Sequence, residues 1–109
     1  MVIDAVCVVV FAAIGYATHA DELTLAGTAS TAWPFLAALF LTHAALQARK
    51  RTASSLSSGV LVWLATVVGG MVLRQVAGDG TALAFVIVAT AFNAATLLGW
   101  RALAALLRR

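Results

Sequence analysis

Residues 59–76 read GVLVWLATVVGGMVLRQV, eighteen positions with one charge, Arg74, near the far end. A helix crossing a bilayer needs about 20 predominantly apolar residues, because each adds about 1.5 Å against roughly 30 Å of hydrocarbon. This stretch meets the requirement. Its β-branched residues do not alternate with polar ones, as a lipid-facing barrel strand would require. Three further stretches repeat the pattern, at about 2–18, 32–48 and 81–100. The sequence therefore predicts an all-α, polytopic membrane protein, a single domain over 1–109 built as a four-transmembrane-helix bundle.

Composition agrees. The 109 residues are 63% hydrophobic and 10% charged, against about 45–50% and about 25% in soluble domains. So much apolar surface cannot be hidden inside one small soluble core, and disorder is excluded on the same grounds. A single cysteine, Cys7, rules out a disulfide scaffold. The net charge of +3 comes from few basic residues outside the apolar runs, with no basic and aromatic stripe, so nucleic acid is not an expected partner.

The basic residues instead predict orientation. Arg49, Lys50 and Arg51 lie between the second and third spans, and Arg101, Arg108 and Arg109 lie at the C-terminal end. With four spans these six share one side, and Arg74 alone falls on the other. The positive-inside bias places both termini in the cytoplasm of a multi-pass cell-membrane protein. Tyr16 and Trp33 then fall near the outer interface, and Trp63 and Trp100 near the inner one. The start Met1-Val2-Ile3-Asp4 lacks the positive charge of a secretory signal, so the first span is expected to be retained.

Local punctuation fits these boundaries. Thr31 offers a cap for the second helix with Pro34 in its first turn, the serines at 54–58 offer caps for the third, and Gly78 suits the residue just past a helix end. Asp79 or Thr81 can cap the fourth helix.

Chemistry, if present, is expected at polar side chains inside the spans. At 1.5 Å per residue, His43, Thr66 and Asn93 lie roughly 9, 10 and 12 Å in from the cytoplasmic end. They form a candidate polar cavity. His43 is either a proton-carrying or ligand-binding imidazole, or interhelical glue bonded to Thr66, Asn93 or a backbone carbonyl. Asp4 and Arg101 form a candidate inner ion pair at the helix ends, as an anchor or a gate. Arg74 with Asp79 and Asp21 forms a candidate outer vestibule for anionic solutes, or a solvated rim.

Metal ligation and cofactors are not expected. His19 with Asp21 and Glu22 lacks diagnostic spacing, and His19 and His43 lie on opposite sides of the membrane, unable to share a haem. HExxH, Walker A, GxSxG and CxxC motifs are missing from the sequence, and catalysis is not expected. The small-residue spacings Ala65-x-x-x-Gly69 and Ala91-x-x-x-Ala95-x-x-x-Gly99 favour close helix packing. The expected partners are the lipid bilayer and, through such faces, a second copy or another membrane protein. The expected role is structural or accessory, with a small-solute or proton-coupled transporter or channel subunit as the alternative.

Several segments carry a family resemblance: Thr31-Ala32-Trp33-Pro34-Phe35, Leu73-Arg74 followed by Gly78-Asp79-Gly80-Thr81, and Phe85 through Val88-Ala89-Thr90 to Leu98-Gly99-Trp100-Arg101, together with Asp4. The chain resembles the small membrane proteins of domain-of-unknown-function family 3054 over nearly its whole length. The resemblance implies four membrane helices and supplies no catalytic residues. Length and span number are also similar to the small multidrug-resistance exporters, but the glutamate those carry well inside the first helix has no counterpart here.

Overall fold

The computed structural model describes residues 1–20, 24–78 and 82–108, with backbone only at 18–20. Four helices account for nearly all of it: α1 (Val2–Ala20), α2 (Leu25–Ala48), α3 (Leu56–Val76) and α4 (Leu83–Leu107). Three of them, α2, α3 and α4, are long and apolar enough to cross a membrane, while α1 contributes a shorter apolar helix over Val2–Ala17. No strand occurs among the described residues.

The helix starts follow their caps. Ser55, in extended conformation, accepts from the Ser58 amide at 3.2 Å and opens α3. α2 begins seven residues before the expected start at Ala32. Thr24 is the cap, its hydroxyl accepting from the Gly27 amide at 3.0 Å. Thr31 cannot serve, because its hydroxyl is turned onto the Gly27 carbonyl one turn back. Pro34 therefore sits inside α2 rather than in its first turn, a position that membrane helices tolerate. Gly78, at φ +87°, follows the end of α3 in the left-handed conformation glycine adopts without strain. α4 runs on past Trp100 to Leu107, and Ala94–Leu98 within it is a π turn.

The helices form a closed ring. Each packs on its neighbours in sequence, α4 returns to α1, and the diagonal pairs do not meet at backbone distance. Phe11 of α1, Phe35 of α2 and Phe85 of α4 meet at ring-centroid distances of 5.3–6.0 Å in the middle. α3 completes this layer with Gly70, where a Cβ would overlap the Phe35 ring. Gly69 likewise admits Ala38, so the Ala65–Gly69 face packs inside the bundle. Ala91, Ala95 and Gly99 are exposed on the outside of α4.

Apolar side chains both fill the core and cover the outside of the bundle, and a few polar ones are enclosed. Asp4, Thr66, Asn93 and Arg101 are fully buried, while Val2, Val6, Ile14, Leu41, Val68, Val72 and Ile87 lie exposed. The longest dimension is 43 Å, close to the roughly 40–45 Å of a bilayer with its headgroup layers. An apolar exterior that leaves its few polar side chains inside suits lipid as the surrounding solvent.

Candidate functional site

One end of the bundle is organised around the Asp4 carboxylate. The side chain points inward from the first turn of α1 and meets α2 and α4. Arg101 forks onto it, Nη1 donating to Oδ1 at 2.8 Å and Nη2 to Oδ2 at 2.6 Å. The Trp100 indole donates to Oδ1 at 2.7 Å, and Nε2 of His43 lies 2.7 Å from Oδ2. An ionised carboxylate offers about four acceptor positions, and all are engaged. Against an ionised carboxylate, which only accepts, Nε2 of His43 is the donor of this contact.

Arg101 is saturated almost as fully. Its Nε donates to the Ala53 carbonyl at 3.0 Å and its Nη1 also to the Leu97 carbonyl at 2.9 Å. Four of the guanidinium's five N–H groups are thus placed. The bond to Ala53 ties the loop between α2 and α3 over this end. The aliphatic stem of Arg101 lies in a notch at Gly59, where a Cβ would stand 2.5 Å from Cδ. A buried ion pair is tolerable when its geometry is bidentate and its remaining donors are met, since desolvation otherwise outweighs the attraction.

The π turn in α4 aims Arg101. Phe85, Ala89, Asn93, Leu97 and Arg101 are all buried, one at every fourth position. An ideal α-helix, at about 100° per residue, would drift by about 40° at each such step and by about 160° between Phe85 and Arg101, turning the guanidinium out to lipid. The wider turn at Ala94–Leu98 takes up roughly one extra residue and returns the sequence to the inner face. Thr96 supports it, its hydroxyl donating to the Phe92 carbonyl at 3.0 Å.

The candidate residues of the sequence distribute as follows. Asp4 and Arg101 are brought together, but in the closed interior rather than at a rim. His43 bonds Asp4 rather than Thr66 or Asn93, because the antiparallel register of α1 and α2 sets it across from Asp4. Asn93 Nδ2 donates to the Ala89 carbonyl at 2.8 Å, and neither Asn93 Oδ1 nor Thr66 Oγ1 has a partner. Arg74 stacks over the Phe85 ring with its guanidinium carbon 4.2 Å from the centroid. Asp21 and Asp79 lie outside the described residues, as do Glu22, Thr81 and the side chain of His19. Among the described residues no group of three or more His, Cys, Asp or Glu side chains is placed to hold a metal.

The sequence points to Trp100 only as an interface anchor, and not to the Ala53 carbonyl at all. Trp63 and Trp100, which read as interface anchors, turn their indole N–H groups inward, Trp63 donating to the Thr90 carbonyl at 2.9 Å.

A family model described as a protein of unknown function (DUF3054) matches residues 1–104. No curated protein matches the chain. No solved structure matches it either.

Proposed function

The chain belongs to the DUF3054 family, and from that premise we propose that it is a four-span protein of the cell membrane, both termini cytoplasmic, with a structural or accessory role and no catalysis. The observation that carries this reading is the saturation of Asp4, with four donors from three side chains on its two oxygens. A carboxylate so engaged has no acceptor position left for a substrate. Its work is to join α1, α2 and α4 at one end. The exposed stripe Ala91, Ala95 and Gly99 supports docking against a second copy or another membrane protein, since small residues let helices approach closely.

Cysteine-accessibility mapping tests the topology. In a variant with Cys7 replaced, Ser55→Cys is expected to react with membrane-impermeant reagent only from the cytoplasmic side, and Asp79→Cys only from outside. The reverse pattern refutes the orientation.

One observation favours the second reading, a transporter or channel subunit for protons or small solutes. The His43 side chain is 11% exposed, while those of Asp4 and Arg101 are fully buried. A structural role predicts that His43→Ala loses about 0.6–2 kcal/mol of stability, the worth of one interhelical hydrogen bond, and that proteoliposomes carrying either form show the same proton flux as empty ones. Flux in the wild type that His43→Ala removes would replace the structural reading with the transport one.

A further inference from the structure

We propose that Thr66 and Asn93 together hold a water molecule between α3 and α4, near the middle of the membrane. Both side chains are fully buried, and each has one polar atom without a partner, the hydroxyl of Thr66 and Oδ1 of Asn93. The Asn93 amide cannot be turned round to relieve this. Its other end donates to the Ala89 carbonyl, which can only accept, so the orphan is the oxygen.

Thr66 is equally telling. Thr31, Thr42, Thr90 and Thr96 each turn the hydroxyl onto the carbonyl four residues back. Thr66 does not, and leaves a hydroxyl hydrogen unspent in an apolar layer. One site therefore has a buried donor to offer and the other a buried acceptor.

The register brings them together. Gly59 lies against Arg101 and Leu98, and Trp63 donates to Thr90, so α3 ascends as α4 descends. Seven residues along α3 from Gly59, Thr66 stands at about the level of residues 91–94 of α4, the level of Asn93. Both residues belong to the inward faces, Thr66 in line with Val62 and Gly70, Asn93 with Ala89 and Leu97. Side chains on a helix lean toward its N-terminus, and the Asn93 bond to Ala89 shows its amide leaning that way, toward the level of Thr66.

A water accepting from Thr66 and donating to Asn93 Oδ1 satisfies both and keeps one O–H for a backbone carbonyl. Buried waters have about 2–4 such partners, and they bridge polar groups standing too far apart to bond directly. Thr66 is the central residue of α3, so the water would lie deep in the hydrocarbon layer, where an unmet polar group is costly.

Water-edited solid-state NMR of the protein in bilayers with deuterated acyl chains tests this directly, with bulk water protons as the probe. Polarisation is expected to reach the Asn93 side-chain amide while Ala89 and Leu97, fully buried on the same face, stay dark. Thr66→Val should reduce the Asn93 signal to the level of Leu97, and Thr66→Ser, which keeps the hydroxyl, should restore it. The proposal is overturned if Asn93 in the wild type receives no more polarisation than Leu97, as a dry direct bond would give, or if Thr66→Val leaves the transfer unchanged. Should Thr66→Val fail to fold, the wild-type comparison alone decides.

Discussion

Asp4→Ala is expected to destabilise the bundle by about 3–5 kcal/mol, the cost of leaving a buried charge without its partner. Removing the carboxylate strands four donors at once. The Arg101 guanidinium keeps only its bonds to the Ala53 and Leu97 carbonyls, and the Trp100 and His43 N–H groups lose their acceptor. The Arg101 guanidinium, fully buried, cannot reach water without opening the end of the bundle. A reversible denaturant titration in mixed micelles checks the figure. Asp4→Asn should fall between the two, since an amide still accepts from some donors but cannot neutralise the guanidinium.

Gly70→Val is the second large effect. In lipid there is little hydrophobic gain from bringing apolar helices together, so stability rests on close packing and interhelical polar contacts. The Phe11, Phe35 and Phe85 rings form one packed layer, and Phe35 lies so near Gly70 that any Cβ overlaps its ring. Phe35 is itself fully buried between Phe11 and Phe85 and has nowhere to turn. Overpacking of this kind costs about 1–3 kcal/mol or somewhat more. The control is Gly15→Ala, where nothing lies within 4 Å of the new methyl. There the gain in helix propensity of about 0.5–1 kcal/mol should leave stability equal or slightly raised. Equal losses at both positions in the same titration would show that the packing argument fails.

How far the sequence discloses this structure depends on what each feature rests on. The long helices are legible because an unbroken apolar run such as 59–76 permits little else. The start of α2 is not, because Thr24 and Thr31 are both chemically able to cap. The choice falls to Thr24, whose backbone is extended and whose hydroxyl reaches the Gly27 amide. The meeting of Asp4 with Arg101 follows from their places near helix ends that an up-and-down bundle brings to one end. Its burial does not follow, since a regular helix would carry Arg101 off the inner face and only the π turn brings it back. Trp100 and His43 were obscured for related reasons. A tryptophan near a helix end also suits an interface anchor, and depth counted along an axis ignores how far an imidazole reaches toward a neighbouring helix. The outer candidates Asp21 and Asp79 lie outside the described residues.

The central claim is that Asp4 and Arg101 act as one buried, mutually neutralising pair that holds the end of the bundle. A double-mutant cycle measures this most directly, with unfolding free energies for the wild type, Asp4→Leu, Arg101→Leu and the double variant. If the pair acts as a unit, each single change strands a charge while the double change strands none. The double variant should then be more stable than either single one, with a coupling of at least about 2 kcal/mol, within the range contacting residues show. Additive losses, leaving the double variant the least stable of the four, would contradict the claim.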